Sequence, residues 1–269
     1  MSFLQSIILG AVQGITEWLP VSSEGINTLI LLHFFGKPLS EAIGISIWLH
    51  VGTLVSALIY FRREIVALAR YLPRYVRELG RGSASEPHTL ISFLIISTLL
   101  SVVIGAPLML FGLNRTEIPS GLVMAIIGGF LIITGLVQRF TPRFSGSRTI
   151  TRKRDALLLG AVQALAIFPG LSRSGLTVSA LLFRGYQAQQ AIRVSFLMSI
   201  PVVLAAGIGL NLIGGVSLNV PAIIGAVVAC LFGLLTISAL LRMAARIRFW
   251  MFCLFLGVLS LIPLLVERL

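Results

Sequence analysis

This sequence is short of charge. Only 11% of its 269 residues are Asp, Glu, Lys or Arg, against 57% hydrophobic, where a soluble domain carries about 25% charged residues. That shortage excludes an ordinary water-soluble domain and predicts a polytopic membrane protein, for which length does not count domains. Cysteine is nearly absent as well. Cys230 and Cys253 lie apart in apolar stretches with no flanking histidine, so they lack metal-ligand spacing and read as packing residues. The apolar N-terminal stretch has no basic leader region and no small-residue cleavage site, so it is read as part of the fold and not as a signal peptide.

The charge that is present is mostly positive, with a formal net charge of +12. It does not read as a nucleic-acid footprint. Arg62, Arg63, Arg70, Arg74, Arg77 and Arg81 form one cluster; Arg139, Arg143, Arg148, Arg152, Lys153 and Arg154 a second; Arg242, Arg246 and Arg248 a third. Basic residues gathered in short loops are the positive-inside pattern, and such clusters also suit anionic lipid headgroups. The expected partners are therefore the bilayer and a lipid, not nucleic acid. A homodimer is compatible with this composition, which does not specify it.

Six stretches are long enough to cross a bilayer, which takes about 20 apolar residues: 42–61, 90–111, 120–137, 191–213, 219–240 and 248–266. Four more, 3–18, 22–34, 155–168 and 174–184, are too short. At about 1.5 Å per residue, sixteen helical residues reach about 24 Å of a core about 30 Å thick. The short stretches come in two pairs, each joined by a Pro/Ser/Gly break, and each pair reads as a re-entrant hairpin whose irregular backbone must be buried in protein or line a wet cavity. Residues 64–81, apolar with arginines on one side and interrupted by Pro73, read as an interfacial amphipathic helix.

The breaks carry one polar pattern twice. Gly10-Ala11-Val12-Gln13, Pro20 and Ser22-Ser23-Glu24-Gly25 recur as Gly160-Ala161-Val162-Gln163, Pro169 and Ser172-Arg173-Ser174-Gly175, and beyond them Glu41-Ala42 and Ser46 align with Gln190-Ala191 and Ser195. With the basic clusters placed inside, residues 35–41, the loops 112–118 and 214–218 and both termini fall outside. Three full spans separate the copies, so the second is inverted. The predicted fold is all-α and integral to the membrane: two inverted-topology repeats, 1–138 and 155–269, each a re-entrant hairpin plus three spans. In such folds the broken helices point to the site.

Glu17, Glu24 and Arg173 are the only charges well inside apolar stretches, and a charge at that depth marks a functional site by default. Gln13 and Glu17 share a helix face. Gly170, Ser172, Arg173, Ser174 and Gly175 open a half-helix, with Thr177 one turn further in. A helix N-terminus with an arginine fork suits phosphate. A serine such as Ser22 or Ser23 can donate a hydrogen bond, or attack if a base is near. Glu17 is the candidate base, water activator or cation ligand. Plainer readings stand beside these. Arg173 can be a structural ion pair with Glu17 or Glu24, Ser23 a helix cap, and Glu24 a complement to the helix dipole. Gln13 and Gln163 can bridge the repeats. His50 reads as a hydrogen-bonded interior residue, and His33 and His88 as boundary or loop residues. These readings leave two classes open: a membrane enzyme acting on a phosphorylated lipid, and a transporter for an anion.

The runs Gly14-Ile15-Thr16-Glu17-Trp18-Leu19-Pro20-Val21-Ser22-Ser23 and Pro169-Gly170-Leu171-Ser172-Arg173-Ser174-Gly175, with Leu49-His50-Val51-Gly52-Thr53 and Ser195-Phe196-Leu197 through Ile200-Pro201, resemble the undecaprenyl-diphosphatase family of bacitracin-resistance type over nearly the whole chain. The resemblance implies hydrolysis of a polyprenyl diphosphate to the monophosphate and phosphate at the outer side of a prokaryotic cell membrane. It implies dependence on a divalent cation, Mg²⁺ or Ca²⁺. It casts Glu17 as the main catalytic carboxylate, Ser23 as nucleophile or phosphate ligand and Arg173 as the diphosphate clamp. Gln13, Ser22, Gly170, Ser172, Ser174, Gly175 and Thr177 are the expected substrate contacts. Three positions depart from the pattern: Gln13 replaces a usual Glu, Glu24 a usual Thr, and Ile26 a usual His. Glu24 then offers a second carboxylate, and Glu17 with Glu24 the expected cation ligands. The remaining alternative is a polyprenyl-phosphate or anion transporter on the same scaffold.

Overall fold

The computed structural model describes residues 1–79, 85–113, 118–142, 146–212, 219–244 and 249–266. Arg81, Arg143, Arg246 and Arg248, and residues 114–117 and 214–218 of the two expected outer loops, lie outside the described residues. The described chain is helical throughout, apart from one bridge between Arg148 and Tyr186. The helices are α1 (Phe3–Thr16), α2 (Ser23–His33), α3 (Leu39–Tyr60), α4 (Arg62–Arg77), α5 (Glu86–Leu113), α6 (Ser120–Phe140), α7 (Lys153–Leu165), α8 (Arg173–Phe183), α9 (Ala188–Leu212), α10 (Val220–Ala244), α11 (Trp250–Leu259) and α12 (Ile262–Val266). Among the described residues, five helices are long and apolar enough to cross a membrane: α3, α5, α6, α9 and α10. This is an all-helical integral membrane protein.

The sixth expected span, 248–266, is not one helix. It ends as α11 at Leu259 and restarts at Ile262 as α12. Pro263 explains the interruption: its ring would clash with the carbonyl of Leu259 and it has no N–H to bond there, whereas it is tolerated in the first turn of a new helix. Pro73 behaves differently, because α4 runs through it unbroken. His88 is a boundary residue and not a loop one. It sits in the first turn of α5, 2% exposed, with its ring 4.8 Å from that of Tyr75 on α4.

Helix termini follow local chemistry. Ser2 and Gln5 form a reciprocal capping box that starts α1. Asp155, in the first turn of α7, is 1% exposed and accepts from Arg184 Nε at 2.7 Å and from the Tyr186 hydroxyl at 2.8 Å. Burial, then this bond, pushes the Tyr186 phenol up to about 12, so it stays a neutral donor. Arg193 on α9 binds both Glu64 of α4 and Glu86 of α5, strapping the amphipathic helix to the bundle.

Close helix approach rests on small residues, since lipid gives helices no hydrophobic reason to associate. α10 is wedged between α1 and α3, while α7 lies along α5 and α11 along α6. A Cβ on Gly10 would meet the Gly225 carbonyl at 2.4 Å, and one on Gly160 the Ser97 carbonyl at 2.8 Å. Side-chain hydroxyls reach across the same seams: Ser56 to the Cys230 carbonyl at 2.8 Å and Ser101 to the Gly160 carbonyl at 2.9 Å.

Gly52 makes the tightest of the α3–α10 approaches, because a Cβ there would sit 2.1 Å from the Ala226 carbonyl oxygen. Gly52→Ala is expected to lower the melting temperature in detergent, at about the 1–3 kcal/mol typical of overpacking. Gly129→Ala on α6, where nothing lies within 4 Å, should leave it unchanged or raise it. Thermal unfolding of the two variants side by side is the check.

Candidate active site

Two helices stop short in the middle of the bundle. α1 ends at Thr16, and the chain turns through Glu17 to Ser22 before α2 begins at Ser23. Ser22 takes a left-handed conformation at φ 63°, and its hydroxyl accepts the Gly25 N–H at 3.3 Å as the cap of α2. The second break runs from Ala166 to Ser172, which caps α8 by accepting the Gly175 N–H at 3.1 Å. Gly170 sits at φ 104°, a conformation that favours glycine.

The two breaks touch. The Ser22 hydroxyl also accepts the Gly170 N–H at 3.1 Å, and a Cβ on Gly25 would lie 2.7 Å from that same nitrogen. Ser174 donates to the Leu19 carbonyl at 3.2 Å. Helix α6 holds both from the side. Thr134 Oγ1 donates to the Gly170 carbonyl at 2.9 Å and accepts the Ser172 N–H at 3.1 Å. Gln138 Nε2 donates to the Pro20 carbonyl at 2.5 Å. Every backbone group freed by the breaks that these bonds reach is paired inside the protein, as the membrane interior requires.

Glu17 is the hub. It is 7% exposed. Its Oε1 accepts from Arg173 Nη2 at 2.5 Å; its Oε2 accepts from Ser23 Oγ at 2.8 Å and from Gln13 Nε2 at 3.0 Å. His50 Nε2 stands 3.3 Å from Oε2, while its Nδ1 donates to the Ser46 carbonyl at 2.7 Å. Arg173 also reaches the Ser195 carbonyl at 3.4 Å, and its guanidinium lies 5.6 Å over the Phe196 ring. The structural ion pair open to Arg173 is present, and its partner is Glu17, not Glu24.

A cavity of about 110 Å³ opens over this cluster. Seven of the expected residues line it: Glu17, Ser22, Ser23, Glu24, Ser172, Arg173 and Ser174. Four do not. Gln13 sits behind Glu17, where its carbonyl accepts from Asn27 Nδ2 at 2.8 Å. Gly170 and Gly175 supply close backbone approach to Ile127 and Gln138. Thr177 is turned to α9, 2.7 Å from the Ser195 hydroxyl. Three polar residues join the lining besides the expected ones: His50 and Ser101 from outside the repeated pattern, and Gln163 from its second copy. His50 stands beside the carboxylate, 3.3 Å from Glu17 Oε2, and the only hint of it in the sequence was a histidine in mid-span. Gln163 does bridge the halves, donating to Ser101 Oγ at 3.1 Å, whereas Gln13 bonds only within the first half.

The site offers two helix N-termini, an arginine fork and hydroxyls facing one small cavity, which is a phosphate-binding arrangement. A cation finds Glu17 already occupied, since both of its oxygens accept from protein donors. Glu24 Oε1 and Gln163 Oε1 are the cavity oxygens that are buried without a hydrogen-bond partner among the described residues. Oxygen donors of this kind suit a hard, partly hydrated divalent ion, so Glu24 fits the cation role, while Glu17 meets a cation only alongside its bonds to Arg173, Ser23 and Gln13. Among the described residues no three His, Cys, Asp or Glu side chains are grouped to hold a metal by themselves.

A multi-pass helical protein with a carboxylate–serine–arginine centre between two broken helices is the class that fold and site define. The chain belongs to the family described as bacitracin resistance protein BacA, whose model matches residues 6–262. It is 48% identical to a Methanococcoides burtonii protein named undecaprenyl-diphosphatase, over 98% of this chain and 99% of that one. Proteins of the same name from Haloarcula marismortui and Methanopyrus kandleri are 39% and 35% identical, covering 96% and 98% of this chain and 96% and 97% of theirs.

Thr134 supports two backbone groups of the second break with one hydroxyl. Thr134→Val keeps the shape and orphans both the Gly170 carbonyl and the Ser172 N–H, at about 1–3 kcal/mol for each buried group left unpaired. It is expected to lower both the melting temperature and turnover, and Thr134→Ser, which keeps the hydroxyl, to stay near wild type in both measurements.

Proposed function

We propose that this chain hydrolyses polyprenyl diphosphates of the undecaprenyl type to the monophosphate and inorganic phosphate, returning the lipid carrier to use. The observation that carries this reading is a buried carboxylate, Glu17, bonded at once to a serine hydroxyl at 2.8 Å and to an arginine at 2.5 Å where two helix N-termini face one cavity. A serine beside a base is the signature of an activated nucleophile. A transporter needs an anion site but has no use for that pairing.

In the proposed reaction the terminal phosphate lies against Arg173, whose second nitrogen holds the Ser195 carbonyl only loosely at 3.4 Å, and against the free N–H groups that begin α2 and α8. Ser23 Oγ attacks the terminal phosphorus. Its proton passes to Glu17 Oε2, the bond to the bridging oxygen breaks, and the polyprenyl monophosphate leaves with that electron pair. Water then attacks the phosphoserine from the vacated side, the bond to Ser23 Oγ breaks, Glu17 Oε2 returns its proton to that oxygen, and inorganic phosphate departs carrying the protons of the water. His50 and Gln13 keep Oε2 aimed at Ser23. A divalent ion, when present, neutralises phosphate charge, and Glu24 with Gln163 Oε1 are the residues that would hold it. All of these groups come from one chain, so the site is complete without a second copy.

The proposed architecture is a pair of inverted repeats, 1–138 and 155–269, whose short helices α1–α2 and α7–α8 are re-entrant hairpins. Its support is the reciprocal packing: α1 lies on α10, the span of the second half that corresponds to α5, and α7 lies on α5. Thr28 meets Ser46 at 3.2 Å between α2 and α3, as Thr177 meets Ser195 between α8 and α9. The basic clusters then face the cytoplasm of a prokaryotic cell, both termini face outward, and the site opens to the outer side.

Purified protein in detergent is expected to release phosphate from farnesyl diphosphate; no release with or without Mg²⁺ or Ca²⁺ would favour the transporter. Glu17→Gln is expected to lose essentially all turnover while still binding the lipid diphosphate. Arg173→Lys should lose most of it, since a point charge does not replace the fork. Ser23→Ala separates two chemistries: total loss with binding intact supports the serine nucleophile, and substantial residual turnover supports direct attack by water. For the topology, an impermeant thiol reagent applied to intact cells should label a cysteine placed at position 2 and not one at position 148; the reverse result would overturn the inverted arrangement.

A further inference from the structure

Beside the head-group cavity lies a second, larger void of about 240 Å³ with an almost wholly apolar lining. Its walls are Leu39 and Ile43 of α3, Met109 of α5, and Val123, Ile127 and Phe130 of α6. Ile47 and Ile167 line both voids. The second break forms one continuous edge between them: Phe168 and Pro169 face the apolar cleft, and Leu171 through Ser174 face the polar cavity. The cleft lies by the start of α3, the end of α5 and the start of α6, all toward the same end of the bundle.

We infer that this cleft is the seat of the isoprenoid tail next to the diphosphate. The inference rests on the phosphatase reading and goes beyond it by assigning the path of the substrate. A diphosphate held at Arg173 and the N-terminus of α8 can only send its prenyl chain away from the polar groups. Away from the polar groups the cavity is lined by Val202, Val203 and Ala206 of α9 as well as by Ile47 and Ile167, and it is through Ile47 and Ile167 that its lining continues into the cleft. A bilayer-dissolved tail gains little from exchanging lipid for protein, because lipid chains are as apolar as the cleft. The cleft therefore acts through shape. It steers the chain so that the terminal phosphate, and not the bridging one, reaches Ser23. A wider groove of about 470 Å³ between α4, α5 and α9 is the competing path. It shares no lining residue with the head-group cavity, and it contains Thr98, whose hydroxyl is buried without a partner, a poor match to a hydrocarbon chain.

The experiment compares farnesyl diphosphate with the short, water-soluble isopentenyl diphosphate. Ile126→Trp on α6 and Met109→Trp on α5 narrow the cleft from two walls. Each is expected to cut kcat/KM for farnesyl diphosphate by about tenfold or more, the scale of one misfitted group in an apolar pocket, with hydrolysis of isopentenyl diphosphate unchanged. Leu72→Trp and Leu99→Trp in the α4–α5–α9 groove should change neither. Farnesyl diphosphate carrying a photoreactive group on its tail, irradiated with the wild-type protein, should label peptides of α3 and α6. Equal losses for both substrates, an effect confined to the Leu72 and Leu99 variants, or labelling within 65–72 and 91–99 would overturn the assignment. Labelling reads binding without turnover, so it decides the cleft even if the tryptophan variants fail to fold. Absence of phosphate release from both substrates by wild type would instead sink the phosphatase reading.

Discussion

A carboxylate and a guanidinium are held 2.5 Å apart where an apolar bundle would otherwise close, and most of the architecture serves that contact. Taking two charges out of water costs several kcal/mol per ion, and removing one partner leaves the other bare at about 3–5 kcal/mol. The pair survives because further polar groups surround it. Ser23, Gln13 and His50 attend the carboxylate, and Phe196 offers a ring face to the guanidinium. The two charges come from different halves of the chain, so the halves are joined at the point where both are weakest as helices.

The interruptions follow from the same need. A continuous helix would present side chains alone; stopping it frees N–H groups that phosphate can use. Stopping it also exposes carbonyls that lipid cannot satisfy, and here α6 is indispensable. Thr134 and Gln138 serve as substitute backbone for both breaks. Gly25 and Gly170 then let the two turns approach until one hydroxyl, that of Ser22, caps its own helix and binds the opposite turn.

How much of this was legible in the sequence depended on whether the signal was local. The long spans, the four short helices and the breaks follow from composition and from Pro20, Pro169 and the Ser/Gly runs. That Arg173 meets a carboxylate follows from the cost of burying either alone, but the choice of Glu17 over Glu24 comes only from the packing. Four contacts were not readable. Thr177 and Gln13 share motif and spacing with lining residues but are rotated behind them. His50, a lone histidine on a long apolar helix, acquires its neighbour only when α3 packs on α1. Ser101 enters the cavity from α5, which carries no motif. The interruption at Pro263 was hidden because hydropathy is blind to a proline two residues inside a new helix.

The reciprocal packing has a consequence for how the protein is made. α1 emerges first, yet its long contact is with α10, which the ribosome delivers only near the end. Until then the face bearing Gly10 and Gly14 has no lasting partner in the lipid, whereas Gln13 and Glu17 already have Asn27, Ser23 and His50 of the first half. Arg173 arrives in between, before its own half is complete. Each half is thus an unfinished surface that only the other can cover. A chain cut short of α8 is therefore left with that glycine face uncovered and with Glu17 lacking the arginine that balances its charge.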